Sequence, residues 1–295
     1  MNSNRQQLRF IVFNVDAATI IARSRGLFAS EGVDVEITMT PNSTEQMRGL
    51  STGKWDLAST AFDNVLAWSG REGAEIVAVA QAAAGILLPV YVRPEIRDWS
   101  DLRGKKLAVD AVDTAYALVL RRLLLSHGLD LNRKDYELVP AGATGHRLES
   151  MKRGETFAGI LNPPWDAQAT AAGMVRLADH REVLPQYPGG VIAVSRSWTQ
   201  THRKELTSFL RAWLAGGRWA QDPANREEAI TLIAADQKLD RDAAAARLTQ
   251  LPKDPNLNLP GLQSVLDLRV QFGFTLPMGT DLKRYYDLAF YRDAT

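Results

Sequence analysis

Cysteine is absent from the 295 residues. Disulfides, thiolate nucleophiles, Fe–S clusters and Cys-ligated zinc are excluded together. Histidine is scarce: His127, His146, His180 and His202 are the only 4, and no two stand at the spacing of a His-Glu-x-x-His pair, so no metal site is expected. Charge of one sign is also lacking. The 35 basic and 34 acidic side chains leave a formal net charge of +1, which argues against nucleic acid, since phosphate neutralisation needs clustered Lys and Arg. No apolar run reaches the roughly 18 residues that a spanning helix needs. Gly49-Leu50-Ser51-Thr52-Gly53-Lys54-Trp55 misses the spacing and the final hydroxyl of a phosphate loop. No Gly-x-Gly-x-x-Gly follows a strand and no Gly-x-Ser-x-Gly elbow occurs, so no nucleotide or other cofactor is expected and triad chemistry is unsupported.

What is present is ordinary globular material, 45% hydrophobic and 23% charged, in a chain long enough for one large α/β domain or two lobes. The first half alternates short apolar runs with helical patterns. Arg9 to Phe13, Val33 to Thr38, Asp56 to Ser59 and Glu75 to Ala80 read as strands; Ala17 to Phe28, Thr44 to Ser51 and Asn64 to Ser69 read as helices. The rhythm restarts near Asp101. Strands are expected at Lys105 to Val109, Tyr136 to Val139, Phe157 to Leu161 and Val175 to Ala178, with helices at Tyr116 to Ser126, His146 to Arg153 and Trp165 to Ala172. Alternation with short connections implies parallel pairing. After a further strand, Val191 to Ser195, the chain turns helical: Lys204 to Gln221, Arg226 to Ala235, Arg241 to Gln250, Leu262 to Phe272 and Asp281 to Tyr291. The apolar face of Leu206, Phe209, Leu210, Trp213 and Leu214 needs a surface to cover. The simplest assignment is a first lobe of residues 1–90 plus 192–295 and a second of 91–191, joined by strand-like crossings at Pro89 to Pro94 and Gly190 to Ser195.

Ligands of open parallel sheets bind beyond the carboxyl ends of the strands. Each such end carries a polar loop that opens a helix: Asn14 to Thr19, Pro41 to Thr44 and Thr60 to Asn64 in the first lobe, and Asp110 to Tyr116, Gly142 to Arg147 and Asn162 to Asp166 in the second. Helix N-termini offer unpaired N–H groups and a partial positive charge, which suit a carboxylate, sulfonate or phosphate. The same Asp, Asn, Ser and Thr residues are equally ordinary N-caps. Phe13, Phe62, Tyr116, Trp165 and Tyr187 lie at or beside these loops and suit stacking on a flat ligand, with core packing the alternative and the better reading for Phe13. Arg147 is the basic side chain of a second-lobe loop, facing either the ligand or solvent. His127 reads as a helix-end residue, His180 as part of a turn and His202 as surface.

Three segments resemble those of the periplasmic binding proteins for nitrate, sulfonates, taurine and thiamine precursors. Ala22 to Glu36, with Gly26-Leu27-Phe28-Ala29-Ser30-Glu31-Gly32-Val33-Asp34-Val35 at its centre, is similar to the family's G-x-F-x-x-E-G-L-x-V run. Leu50-Ser51-Thr52-Gly53-Lys54-Trp55-Asp56-Leu57-Ala58 resembles its L-x-x-G-x-x-D segment. Asp101-Leu102-Arg103-Gly104-Lys105-Lys106-Leu107-Ala108-Val109 resembles its D-L-K-G-K-K-I-x-V entry to the second lobe. The resemblance implies a bilobal type-II fold, two parallel-type sheets flanked by helices with a two-crossing hinge. It also implies capture of a small anionic or planar heteroaromatic ligand between the lobes for an ABC importer. By position, its ligand loops correspond to Asn14 and Asp16; Asn42, Ser43 and Thr44; Ala61, Phe62 and Asp63; Asp113, Thr114 and Tyr116; Thr144, Gly145 and His146; and Asn162 with Trp165.

The same fold family includes cytosolic enzymes, among them thiamine-pyrimidine synthase, a desulfinase and chorismate dehydratase; the first two use cysteine that this chain lacks. A lyase- or decarboxylase-like reading on a small organic acid would use His146, or an inward Asp16, Asp63 or Asp113, as general base. The binding reading is the stronger, with the ABC-importer permease as partner, a monomeric chain and no turnover. Met1 to Gln7 is polar and leads straight into Leu8 to Phe13. The protein is therefore expected to be periplasmic if a leader has been removed and cytoplasmic if Met1 is the native start.

Overall fold

The structure is a computed structural model and describes residues 5–295. It divides into two units: Met1–Ile86, Pro188–Leu262 and Leu276–Thr295 form the first, and Leu87–Tyr187 with Gln263–Thr275 the second. The sequence reading left 263–275 with the first lobe. The structure assigns this segment to the second unit because two aromatic side chains anchor it there: the Arg121 guanidinium lies 4.1 Å from the Phe272 ring centroid and 5.9 Å from that of Phe274.

The strands, numbered in chain order, are β1 (Gln6–Val12), β2 (Val33–Met39), β3 (Leu57–Thr60), β4 (Ile76–Gln81), β5 (Pro89–Val92), β6 (Lys106–Val109), β7 (Glu137–Pro140), β8 (Ala158–Ile160), β9 (Val175–Asp179) and β10 (Val191–Ser195). They make two five-stranded sheets, ordered β2-β1-β3-β10-β4 and β7-β6-β8-β5-β9. Matching the strands one to one, the two orders are the same. Neither sheet is purely parallel. In the first, β10 runs antiparallel to β3 and β4; in the second, β5 runs antiparallel to β8 and β9. Both reversed strands fall on the crossing segments expected from the sequence.

In the first unit the helix Arg203–Gln221 buries its apolar stripe, with Phe209 fully enclosed and Trp213 1% exposed. Phe209 meets Phe10 edge-on at 5.2 Å and stacks on Phe28 at 5.3 Å. The expected helix Ala17 to Phe28 is two helices, Ala17–Ser24 and Leu27–Ser30, because Gly26 takes a left-handed φ of 69° between them. The expected helix Asp281 to Tyr291 is also interrupted. A single 3-10 turn, Leu282–Tyr285, is followed by extended Tyr286, and a short helix, Ala289–Ala294, closes the chain. The extended residues are needed at the sheet edge: Tyr286 bridges Ala78 of β4, and the Asp287 N–H donates to the Ala78 carbonyl at 2.9 Å.

In the second unit the helix Ala115–Ser126 lays Ala117, Leu118, Leu120, Leu123 and Leu124 into the core. Thr144–Lys152 follows β7 and Trp165–Ala171 follows β8. His180, in its turn as expected, is buried, and its Nδ1 accepts from the Leu88 N–H at 3.3 Å.

Candidate functional site

The carboxyl ends of β6, β7 and β8 are drawn together by one side chain. Arg147 sits on the inner stripe of the helix Thr144–Lys152 together with Leu148, Ser150 and Met151, and is 2% exposed. It does not face solvent. Its Nε donates to the Ile160 carbonyl at 3.2 Å, Nη1 to the Gly142 carbonyl at 3.0 Å and Nη2 to Thr144 Oγ1 at 2.8 Å. Asp110, directly after β6, stands 4.0 Å from Nη1, too far for a hydrogen bond. The Tyr116 ring lies 5.6 Å from the guanidinium carbon. Arg147 thus donates to neutral oxygens, while the Asp110 carboxylate, within ion-pair range, offsets part of its charge. Burial pulls the Arg147 pKa down, opposed by Asp110 and Tyr116, but an arginine remains charged in proteins. Burial pushes the Tyr116 phenol up to about 12, so it is a neutral hydroxyl at physiological pH.

Several sequence-predicted residues gather at this cation. Thr144 Oγ1 accepts from Arg147 and donates to Asn162 Oδ1 at 3.0 Å, linking the β7 loop to the β8 loop. Thr114 Oγ1 donates to Asp110 Oδ1 at 2.5 Å. Trp165 lies so close over Gly145 that a Cβ there would meet Cη2 at 2.8 Å. His146 is exposed, its Nδ1 beside Gly142, where a Cβ would meet it at 3.2 Å. Asp113 is exposed, and its carbonyl accepts from Arg269 Nη1 at 3.3 Å.

The helix starts complete the electrostatics. Ala115–Ser126 and Thr144–Lys152 begin at Thr114 and Ala143 without a side-chain cap hydrogen bond. Thr114 spends its hydroxyl on Asp110 and the Ala111 carbonyl instead. First-turn N–H groups at two helices, beside a buried guanidinium, form a positive pole suited to an anion.

The first unit behaves differently. Asp16 caps the helix Ala17–Ser24: Oδ1 accepts from the Thr19 N–H at 2.9 Å and from Trp213 Nε1 at 3.0 Å, and Oδ2 from Thr19 Oγ1 at 2.7 Å. Burial raises its pKa, with the Thr19 and Trp213 hydrogen bonds opposing. Asn42 caps Ser43–Ser51 by accepting from the Glu45 N–H at 2.8 Å. Asn14, Asn42 and Thr44 are exposed and Ser43 is half-buried. Ala61 precedes the helix Phe62–Trp68, whose Phe62 and Asp63 are 1% and 3% exposed. Phe13 is 39% exposed, against the expectation of core packing, because it continues β1 past the last paired residue, Val12. Tyr187 is buried and meets His180 edge-on. His202, expected at the surface, is half-buried and stacks on Trp198 at 4.9 Å.

Arg147 is the residue that sequence reasoning left undecided, and a signal for it existed. It stands three and four residues before Ser150 and Met151, on the stripe that a helix must bury.

Comparisons with known proteins agree with this architecture. The bicarbonate-binding protein CmpA of Synechococcus elongatus is 23% identical over 257 residues, covering 77% of this chain and 56% of that protein. The chain thus spans little more than half the length of the curated relatives it matches. Among solved structures, the periplasmic nitrate-binding protein NrtA of Synechocystis PCC 6803 superposes with a TM-score of 0.79 at 13% identity, over 98% of this chain and 88% of that one. The periplasmic aliphatic sulphonate binding protein SsuA of Escherichia coli gives 0.75 at 18% identity, over 96% and 92%. The fold is therefore that of the periplasmic binding proteins. Residues 3–234 match the profile of the NMT1-like family, and with that match running through both sheets the chain belongs to this family.

Proposed function

We propose that the protein is the solute-binding component of an ABC importer, and that it captures a small oxyanion in the class of bicarbonate, nitrate or a sulfonate head group. Arg147 carries the reading. A guanidinium 2% exposed stands beside two helix starts, its hydrogen bonds going to neutral oxygens and the Asp110 carboxylate 4.0 Å away offsetting only part of the combined positive field. An anion arriving there gains hydrogen bonds from the helix N–H groups and attraction from Arg147, against the opposing charge of Asp110. The proposed contacts are the first-turn N–H groups, Thr114, Thr144, Gly145, His146 and Asn162, with Tyr116 and Trp165 excluding water from one side. Asp113 completes the set only through its backbone. The names of the relatives support the ligand class and the periplasmic setting, and the importer's permease is the proposed partner. No helix among the described residues is long and apolar enough to cross a membrane.

Thermal unfolding with sodium bicarbonate, nitrate and methanesulfonate tests the idea. Ligand at about 100 times Kd stabilises the folded state by ~2.7 kcal/mol, so at least one salt should raise Tm well beyond sodium chloride at equal ionic strength. Arg147→Met should keep the far-UV spectrum and weaken that anion by about tenfold or more, ~1.4 kcal/mol. Equal responses to all salts, or full affinity in the Met variant, would refute the assignment.

A further inference from the structure

The loop that opens the helix Ala115–Ser126 is tied to a residue far away in the chain. The helix Leu259–Gln271 ends within the segment Gln263–Thr275, which belongs to the second unit. Its end is a glycine cap. Gly273 takes a left-handed φ of 73°. The Gly273 N–H donates to the Val270 carbonyl at 3.1 Å, and the Phe274 N–H donates to the Arg269 carbonyl at 2.9 Å. This pair of bonds folds the residue after the glycine back onto the last turn of its own helix. Phe274 is thereby laid over Arg269, whose guanidinium carbon is 5.4 Å from the ring centroid. The Arg121 guanidinium, from the helix Ala115–Ser126, lies 5.9 Å from the same ring.

Arg269 is 2% exposed, so its head group is held where the packing puts it. There Nη1 donates to the Asp113 carbonyl at 3.3 Å, between residues 156 apart in the chain. Asp113 is exposed, as is Val112 before it, and among the described residues Asp113 makes no other hydrogen bond. The next residue, Thr114, starts the helix Ala115–Ser126 without a side-chain cap. Its hydroxyl is turned to Asp110 and to the Ala111 carbonyl, which fixes the side chain but not the peptide in front of it. A peptide unit is planar and trans, so its C=O and N–H point in opposite directions. Holding the Asp113 carbonyl therefore sets the direction of the Thr114 N–H, which heads the row of first-turn donors.

From this geometry we infer that Arg269 is a positioning residue for anion capture, which rests on the reading of the loops after β6 and β7 as an anion site. It acts through the Asp113–Thr114 peptide and does not touch the anion. The chain is thus built so that a side chain from its last quarter aims a donor of the loop after β6.

Titration calorimetry tests the inference, using the one of sodium bicarbonate, nitrate and methanesulfonate that most raises the wild-type Tm. Arg269→Met should weaken that anion about fivefold. Arg269→Lys keeps a charged donor and should bring affinity back to within about twofold of the wild type. Phe274→Leu removes the ring over the guanidinium, leaves an apolar side chain in its place, and should weaken the anion in the same direction. Amide 15N–1H spectra separate aiming from a general loss of structure. In the wild type the saturating anion should shift the amides of both Thr114 and Gly145; in Arg269→Met the Gly145 shift should persist and the Thr114 shift should shrink. Unchanged affinity in Arg269→Met and Phe274→Leu, no recovery in Arg269→Lys, or joint loss of the Thr114 and Gly145 shifts would each overturn the inference and leave the anion site standing. No response of the wild type to any of the three salts would overturn the site and the inference with it.

Discussion

Arg147 and Asp16 place opposite charges in different units; Asp16 is held by neutral donors, and Arg147 by neutral acceptors with Asp110 4.0 Å away. The consequences of the two differ in sign. Asp16 has its folded-state pKa raised, chiefly by burial. Its contribution to stability is therefore fully present below the pKa of an unfolded aspartate and is lost as pH rises through the folded value. Asparagine caps a helix as well as aspartate does and can still accept from Thr19 and Trp213. Asp16→Asn should accordingly match the wild type in urea melts at acid pH and exceed it at pH 7; a difference that is the same at both would contradict the burial argument. Gly145→Ala addresses the other unit. A Cβ at 2.8 Å from the Trp165 ring must displace that indole, at a cost of about 1–3 kcal/mol. Near-UV circular dichroism and anion affinity should change together. The loops themselves were legible in the sequence as polar runs after strands. Their internal wiring was not, because whether a Thr or Asp caps its helix or bonds a neighbour is decided by tertiary distance: Asp16 caps, whereas Thr114 turns to Asp110.

At the scale of elements, the alternation of apolar runs with helical patterns was enough to place the strands, since each buries one or both faces. It failed where the backbone broke a smooth pattern. Gly26 splits an apparently continuous helix, and Tyr286 leaves the helical path to reach Ala78. Neither signal is periodic. The adjacent glycines of the helix Arg203–Gln221 make helix packing measurable. A Cβ on Gly216 would meet the Ala18 carbonyl oxygen at 2.5 Å and the Ala22 nitrogen at 2.9 Å. Gly216→Ala thus forces that helix off Ala18 and Ala22 and should destabilise the protein by about 1–3 kcal/mol. Gly217→Ala meets only an ordinary contact, the Ala18 Cβ at 3.5 Å, and should stabilise it by about 0.5–1 kcal/mol through helix propensity. Urea melts that shift in the same direction for both would show that the close approach is not limiting.

At the scale of the whole molecule, the assignment of Gln263–Thr275 to the second unit was beyond the sequence, because it depends on Arg121 meeting Phe272 and Phe274 across more than a hundred residues of chain. Arg121 is 7% exposed, and Arg269 lies 5.4 Å from the same Phe274 ring. Desolvated cation–π contacts are worth up to about 2 kcal/mol each. Phe272→Ala with Phe274→Ala should speed hydrogen exchange in residues 263–275 and in the helix Ala115–Ser126, leaving β1 to β3 protected. Uniform acceleration across both units would mean that the segment serves global stability instead.

The place of β10 inside the first sheet has a consequence for synthesis. Among the described residues, its neighbour β4 pairs with nothing earlier in the chain: one flank is covered by Val191–Ser195 and the other by Tyr286. While a ribosome is still adding the residues between, Ile76–Gln81 has emerged as a bare apolar ribbon with no strand to dock against. The first unit is thus begun first and finished last, and over that interval Ile76–Gln81 is an open strand edge of the kind that invites wrong pairing.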